Sequence, residues 1–334
     1  MADNKNNSLV NSSNGWSNAL TAIGDALMPR ALKALDRLIG AGVDIPAAWL
    51  ERHAENIKSK TKSQGIVERA VAEKAGLLAA SDSEIGDRAM NNLLRKEYRR
   101  TENKDRVASV TIETLRLSAD GPPTENSVEQ LDEDWLNIFE RFAEDASTER
   151  MQGLWGRVLA GEIRTPGIFS LRTLRFLSEF SQSDAVLFAE ICEFAVGTTI
   201  LRTLAVPEEV KDIRHLIQLE SAGLVTGASG LGLTFKLTFD ATGHVVLKEG
   251  NLGLVLRGEP NAFIELNVIV LTPLGAEVMS LIPDRDRQSV MRKFAQELRS
   301  PQIKAAFIGH QISPQTYNFI EQLWLDETPP SPVS

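Results

Sequence analysis

Residues 149–163 read ERMQGLWGRVLAGEI, and this stretch decides the predicted fold of the central part of the chain. Its apolar side chains recur at i, i+3, i+4, i+7, i+8 and i+12, the spacing of one helical face, which predicts a helix packed on a core. The predicted structural core motif is Met151, Leu154, Trp155, Val158 and Leu159. Glycines and alanine between these residues would let a second helix approach closely. The sequence therefore predicts a compact helical bundle, to which we assign residues 127–203.

The chain before this bundle also shows helical spacing of its apolar residues. Residues 1–15 are polar and predict a disordered tail, and residues 16–119 predict an N-terminal helical region. The last element of this region is a long basic helix, for which Ser81 and Glu84 have the spacing of an N-terminal capping box. Because proline cannot continue a helix, the DGPPT sequence at residues 120–124 predicts its end and a domain boundary.

The apolar period changes from helical to alternating in the C-terminal part. Residues 231–239 (LGLTFKLTF) alternate strictly, which is typical of a half-buried strand, and residues 182–195 are apolar on most sides, which predicts a central buried helix. We predict a mainly α protein with a C-terminal α+β module at residues 204–300 and a C-terminal extension at residues 301–334. Further helices and strands are predicted at residues 207–222, 244–247, 253–256, 263–271 and 285–298.

Charge is distributed unevenly along the 334-residue chain, whose net charge is −9. Residues 1–118 hold 18 Lys/Arg and 15 Asp/Glu, whereas the remaining residues hold 18 and 30. Nucleic-acid binding needs clustered cations, so only the first part could supply them. The single cysteine, Cys192, excludes an internal disulfide framework, and no secretory signal or membrane-spanning stretch is visible. These features predict a cytoplasmic protein for which a membrane is not a partner.

The residues that could carry catalysis are scattered. The four histidines, at positions 53, 215, 244 and 310, show no metal-ligand spacing, and one cysteine cannot build a zinc site. The glycines of residues 227–232 belong to a predicted hairpin, where their amides would not converge on a phosphate. Cys192 lies among apolar residues and is predicted to be a small buried hydrophobe. The sequence therefore predicts no enzyme, with no catalytic residue, no cofactor and no metal site.

The basic helix carries the candidate binding residues. Residues 88–106 hold seven cations against three acidic side chains. Two interpretations stay open: the cations pair within the helix or with a neighbouring helix, or they form a surface for nucleic acid or an acidic partner. The candidate phosphate or acidic-partner contacts are Arg95, Lys96, Arg99 and Arg100.

Two short stretches resemble the winged-helix domains of transcription regulators, namely residues 216–225 (LIQLESAGLV) and residues 271–277 (LTPLGAE). The resemblance implies a winged-helix-like domain with an extended β-wing at residues 204–300, in which the helix before the first strand would read DNA. That helix has a net charge of −2 from six charged residues: Glu208, Glu209, Asp212, Glu220, Lys211 and Arg214. Because phosphates repel a negative helix, this charge predicts protein contacts or oligomerisation rather than DNA reading.

Residues 149–163 together with residues 166–174 (PGIFSLRTL) resemble an uncharacterised bacterial family, the domain of unknown function 2806. The resemblance extends to about residue 282. The family has no established activity or catalytic residues, so the resemblance implies none here. The tryptophan–leucine–alanine helix is also distantly similar to the Abi-alpha proteins of abortive phage infection, which implies a role in phage defence.

Three functional hypotheses follow from these features. The first is a non-enzymatic interaction or regulatory protein that acts through self-assembly as a homo-oligomer or through a protein partner. The second is a nucleic-acid-binding regulator that uses the basic helix at residues 88–106 and the winged-helix-like domain. The third is an abortive-infection protein of phage defence.

Overall fold

The structure is a computed structural model, and it describes residues 23, 26–39, 83–117, 130–206, 213–230, 232–282, 285–313 and 316–326. The chain divides into two compact units, residues 1–178 and residues 179–334, and each is described by itself. The predicted tail at residues 1–15, Ser81 of the predicted capping box and the predicted break at residues 120–124 lie outside the described residues. The predicted order of a helical part followed by a C-terminal antiparallel sheet region is confirmed.

The first unit is helical in its described residues. Its helices are α1 (Met28–Ile39), α2 (Ser83–Leu117), α3 (Glu133–Glu144), α4 (Glu149–Arg164) and α5 (Leu171–Glu179), which ends at the unit boundary. Asp132 caps α3, because its Oδ1 atom accepts hydrogen bonds from the amides of Asp134 and Trp135. Thr148 caps α4 through the amide of Met151. None of the described helices has the length and apolar composition that crossing a membrane requires.

The core of the first unit forms where the second half of α2 packs against α1, α3 and α4. The buried side chains on the packed face of α2 are Val107, Ala108, Thr111, Ile112 and Leu115. Gly156 of α4 lies so close to α2 that an added Cβ atom would sit 2.4 Å from Val110 Cγ1. A side chain at this position would overlap its neighbour, so the glycine sets the distance between the two helices.

A buried carboxylate shapes the turn between α4 and α5. Glu162 is 2 % exposed, and its two oxygens accept hydrogen bonds from the amides of Gly167 (2.6 Å) and Phe169 (3.2 Å). The carbonyl of Phe169 accepts a further hydrogen bond from Trp135 Nε1 at 2.7 Å, which ties the turn to α3. These bonds satisfy a carboxylate that would otherwise be costly to bury.

The second unit combines helices with two antiparallel sheets. Its helices are α6 (Gln182–Cys192), α7 (Arg202–Ala205), α8 (Arg214–Ser221), α9 (Pro273–Met279) and α10 (Arg287–Leu298). Its strands are β1 (Ala195–Val196), β2 (Thr199–Leu201), β3 (Val225–Thr226), β4 (Leu233–Thr238), β5 (His244–Glu249), β6 (Leu252–Gly258), β7 (Phe263–Leu271), β8 (Ile303–Ser313) and β9 (Thr316–Leu325). The strands predicted at residues 244–247, 253–256 and 263–271 are confirmed as β5, β6 and β7.

Strand β7 organises the first sheet. One edge of β7 pairs with β2, which also pairs with β1, and the other edge pairs with β3 and then with β4. The second sheet has the order β5-β6-β8-β9, and each neighbouring pair is antiparallel. The β5–β6 hairpin is therefore inserted in the chain between β4 and β7. Helix α10 covers a core in which its Met291 and Phe294 side chains join Leu254 of β6 and Ile308 of β8.

The prediction of a central buried helix at residues 182–195 is wrong. In α6, Phe188, Ile191 and Cys192 are buried, but Val186 is 53 % exposed, so only one face of the helix meets the core. The helix also ends at Cys192, earlier than predicted. The apolar residues that follow belong to the β1–β2 hairpin, whose turn places Gly197 at a φ of 59°.

Two long strands lie within residues 301–334, for which the sequence predicted an extension without elements. Strand β8 pairs with β6, and β9 is the outermost strand of this sheet among the described residues. The β8–β9 pairing shifts register three times, which leaves Ile312 of β8 and Ile320 and Leu323 of β9 without a residue opposite them. Such bulges break the strict alternation by which a strand is recognised in a sequence.

Candidate interaction surface

The first half of α2 projects beyond the bundle. The described side chains from Arg88 to Arg99 are all exposed. The bundle edge lies at Asn103, whose Nδ2 donates to the Glu144 carbonyl (2.7 Å) and whose Oδ1 accepts from Gln152 Nε2 (3.3 Å). An α-helix rises about 1.5 Å per residue, so the segment from 88 to 99 extends about 18 Å along the helix axis. None of the helices that the structure describes covers a side of this segment.

One side of this projecting half carries four large apolar residues, which we name the apolar stripe. They are exposed by 39 to 72 %: Met90, Leu93, Leu94 and Tyr98. Eighteen residues make about five turns of an α-helix, so each residue lies on the same face as the one eighteen positions later. The stripe residues at 90, 93 and 94 therefore continue the face of Ala108, Thr111 and Ile112, which are buried. The packing face of α2 thus runs on beyond the helices that cover it.

The opposite side carries three of the predicted contacts, Arg95, Lys96 and Arg99, which we name the cation face. Their side chains form no hydrogen bond or ion pair with any residue that the structure describes. These residues are neighbours of the stripe residues in the sequence. Each residue is rotated by about 100° around the helix axis from the one before, so Arg95 and Arg99 point away from Leu94. The cation face and the apolar stripe therefore lie on opposite sides of α2.

The fourth predicted contact, Arg100, lies at the bundle instead. It is half-buried and forms ion pairs with Glu97 of its own helix (3.4 Å) and with Glu144 of α3 (3.5 Å). Lys104, one turn on, pairs with Glu140 (3.4 Å) and also with Glu144 (3.7 Å). Both interpretations of the basic helix thus have residues to support them. Arg100 and Lys104 hold helices together, whereas the cation face pairs with no side chain in the described part of the chain.

The predicted core motif lies on α4. Trp155, Val158 and Leu159 are buried, whereas Met151 and Leu154 are half-buried. The Trp155 ring stacks on the Phe142 ring at 5.2 Å between centroids and meets the Phe139 ring edge-on at 5.9 Å. These aromatic contacts belong to the bundle core.

The described residues do not bring together the groups of a metal centre. No group of three or more His, Cys, Asp or Glu in this part of the chain could hold a metal ion. Cys192 is fully buried, and burial raises the pKa of its thiol to about 12, so little thiolate exists near neutral pH. The prediction of a small buried hydrophobe at this position is confirmed. His53, one of the four histidines of the sequence, lies outside the described residues.

The glycine-rich loop between β3 and β4 surrounds an anion that belongs to the chain itself. The amides of Gly227, Ala228 and Ser229 donate to the Glu220 carboxylate at 2.7, 3.1 and 2.9 Å. Arg202 holds the loop from its carbonyl side, because Nη1 donates to the carbonyls of Gly227 and Ala228. The sequence did not predict this internal acceptor, and the prediction that these amides would not converge on a phosphate stays a prediction. At Gly227 the φ of 84° turns successive amides to one side, as in an anion-binding nest.

A comparison with known families concerns the region that contains both α2 faces and the core motif. Residues 87–206 match the family described as a protein of unknown function (DUF2806). This DUF2806 region begins in the projecting half of α2 and ends just after α7. It includes residues 149–174, which carry the predicted resemblance, but not the predicted continuation to residue 282.

No curated protein and no solved structure matches the chain. The predicted similarity to Abi-alpha proteins therefore stays a prediction. The DUF2806 region brings no known activity with it, so its function must be argued from the surfaces of the molecule.

Proposed function

We propose that this protein is a non-enzymatic interaction protein that acts by self-assembly, with the cation face of one copy on the acidic surface of a second copy. The observation that carries the proposal is that Arg95, Lys96 and Arg99 pair with no residue that the structure describes, whereas Arg100 beside them forms two ion pairs. Cations without a partner among the described residues are available to another molecule without breaking any contact that the structure shows.

Charge complementarity selects a second copy as the partner. The part of the chain after residue 118 holds 18 Lys/Arg against 30 Asp/Glu, whereas the part that contains the cation face is net positive. Opposite potentials steer encounter and fix orientation, although each exposed ion pair stabilises a complex by only about 0–1 kcal/mol. Several such pairs together give an assembly that weakens as salt screens it.

Light scattering over a range of protein concentrations, at low and at high salt, tests the proposal. The wild type should assemble at low salt and dissociate at high salt. The triple variant Arg95→Ala, Lys96→Ala and Arg99→Ala should stay monomeric in both. A matched triple variant with the same loss of charge, from Arg150, Arg172 and Arg175, should assemble like the wild type, since these exposed cations lie elsewhere. Equal behaviour of the two triple variants would overturn the proposal.

The second candidate is a nucleic-acid-binding regulator that uses the same cation face together with residues 204–300 as a winged-helix-like module. The pairing of β7 with β2 on one edge and with β3 and β4 on the other supports this module, as does the hairpin inserted where a wing would lie. Glu220 contributes to the predicted negative charge of the helix, but its carboxylate accepts hydrogen bonds from the loop amides. The exposed described residues of α8 are Arg214, His215, Ile217, Gln218 and Ser221. Of the acidic residues in the predicted helix, those at 208, 209 and 212 lie outside the described residues.

A mobility shift with duplex DNA at two salt concentrations separates the two candidates. Each phosphate contact adds about 0.9 to the slope of log affinity against log salt, so removing the cation face should flatten that slope. Absence of a shift at low salt would remove the second candidate and leave the first intact.

Two further expectations belong to this proposal. A cytoplasmic location is supported by the single cysteine, Cys192, and fractionation of expressing cells tests it. A role in phage defence is supported by the Abi-alpha resemblance alone, and survival of phage-challenged cells with and without the gene tests it.

A further inference from the structure

We infer that α4 carries a binding site for a phosphate group, which Arg150 and Arg157 hold between them above Gly153. The site lies on the surface of α4 and includes no residue of the cation face of α2. The inference therefore does not rest on the proposed function.

Arg157 differs from the other partly buried arginines in having no acceptor. Among the described residues, the arginines whose Nε atom is enclosed without a hydrogen-bond acceptor are Arg37, Arg100, Arg157 and Arg285. The other three each form an ion pair with a glutamate. Arg157 is half-buried, and its guanidinium forms no hydrogen bond or ion pair with any residue that the structure describes. Withdrawing such a group from water without an acceptor is unfavourable, so we expect its acceptor to come from outside the chain.

The acidic side chains of α4 do not compensate the charge of Arg157. Burial lowers the pKa of the Arg157 guanidinium, and no nearby carboxylate acts against this effect. Of the two acidic residues of α4, Glu162 is buried and accepts the amides of the following turn, and Glu149 is exposed at the start of the helix. An arginine stays protonated at neutral pH in spite of such a shift. Arg157 is therefore a partly desolvated cation without a counter-ion in the described part of the chain.

The guanidinium of Arg157 folds back over Gly153, one turn earlier on the same face of α4. Its Nη1 atom lies 3.7 Å from the position that a Cβ atom at Gly153 would take. No other described side chain comes within 4 Å of that position. The glycine thus leaves an open space beside the guanidinium, into which a ligand of a few atoms fits.

Arg150 brings a second cation to the other side of this space. It is exposed and pairs with no described residue, and residues three apart are neighbours on a helix, so Arg150 lies next to Gly153. Two guanidinium groups repel each other across the space unless an anion lies between them.

The charge of the site selects a phosphate group as the ligand. A phosphate monoester carries a charge of about −1.5 to −2 at neutral pH, which balances Arg150 and Arg157 together. Its oxygens also accept paired hydrogen bonds from the planar fork of an arginine. A carboxylate has the same fork geometry but carries a single charge, so it would neutralise only one of the two arginines.

Thermal unfolding of the full-length protein tests the inference, with inorganic phosphate as the probe and chloride at equal ionic strength as the reference. The unfolding midpoint of the wild type should rise by roughly 3–6 °C at a phosphate concentration ten times the dissociation constant. Arg157→Met should lose this shift, and without phosphate it should be no less stable than the wild type, because it removes a desolvated charge. Gly153→Leu keeps both arginines but fills the space, so it should lose the shift as well.

Two control variants should keep the phosphate shift of the wild type. Arg141→Met removes an exposed cation from α3. The triple variant of the cation face, with alanine at 95, 96 and 99, removes the other group of cations that could attract phosphate.

Four results would overturn the inference. The wild type could show no shift, the shift could persist in Gly153→Leu, it could disappear in the triple variant of the cation face, or acetate could produce the same shift as phosphate. If Arg157→Met fails to fold, Gly153→Leu decides alone, since the added side chain meets only the flexible end of Arg157. The measurement is made at a salt concentration at which the proposed assembly is dissociated, so the two proposals fail separately.

Discussion

Arg285 Nη1 lies 2.7 Å from Glu249 Oε1, and both side chains are more than nine-tenths buried. Glu249 Oε2 accepts the amide of Gly197 at 2.6 Å, and Arg285 Nη2 donates to the carbonyl of Ala195 at 2.6 Å. The pair thus connects the end of β5, the β1–β2 hairpin and the segment before α10. A buried charge is tolerated only while its partner is present.

We expect Arg285→Met to destabilise the second unit by up to about 3–5 kcal/mol, because it leaves the buried Glu249 carboxylate with only the half-exposed Arg287, at 4.0 Å, as a cation. Urea unfolding followed by circular dichroism measures the loss. Arg257→Met is the control, since Arg257 is exposed on β6. The double variant Glu249→Gln with Arg285→Met should recover part of the loss. A single variant as stable as the control would show that the pair contributes little.

The loop held by Glu220 should make stability depend on pH on the acid side. Hydrogen bonds from the Ser229 hydroxyl and from the amides of residues 227–229 lower the pKa of Glu220, against a smaller opposing effect of burial. A folded-state pKa below the unfolded one gives stability that is present above the unfolded pKa of about 4.3 and is lost as pH falls through the folded pKa.

The stability advantage of the wild type over Glu220→Gln should therefore shrink as pH is lowered from 7 to about 3. Urea midpoints across this range measure it. Glu297→Gln, a change at an exposed position of α10, should show no such convergence. A difference in urea midpoint between wild type and Glu220→Gln that stays constant with pH would contradict the conclusion that the ionised Glu220 carboxylate holds the loop.

Gly156 and Gly153 lie one turn apart on α4 and should respond oppositely to alanine. At Gly156 a Cβ would overlap Val110 of α2, so Gly156→Ala should cost about 1–3 kcal/mol. At Gly153 the nearest atom is Arg157 Nη1 at 3.7 Å, so Gly153→Ala should stabilise by about 0.5–1 kcal/mol through helix propensity. Thermal unfolding measures both, and adding Val110→Ala should relieve part of the first cost.

Cys192 should report unfolding of the second unit. Because its thiol is buried with a pKa raised to about 12, a disulfide reagent at pH 8 should modify it only through opening of the structure. The rate should rise with urea as the folded fraction falls. Leu117→Cys, at an exposed site, should react at once in the native protein. Rapid modification of Cys192 without denaturant would show that the thiol is accessible.

The sequence predicted the elements whose side chains keep a regular period. The helical face of Trp155, Val158 and Leu159 on α4 and the strands β5 to β7 are examples. It missed the β8–β9 hairpin, because bulges at Ile320 and Leu323 interrupt the alternation. The predicted domain boundaries at residues 119, 127 and 203 stay predictions.

The candidate site was predictable only as a charge-rich stretch. Nothing in the sequence separates Arg99, which pairs with no described residue, from Arg100, whose partner Glu144 lies on another helix. The same holds for Glu162 and Glu220, which a sequence shows as ordinary charged residues. Both carboxylates accept hydrogen bonds from backbone amides of a nearby turn or loop, and only the folded chain brings those amides together.

The bulges of β9 have a consequence for how this protein can associate. A flat outer strand offers its unpaired amides and carbonyls as a template for another chain, which is a common route to fibres and aggregates. Two extra residues in β9 kink its backbone and spoil the regular hydrogen-bonding ladder that such templating needs. Growth of this sheet by addition of further strands at β9 is therefore disfavoured.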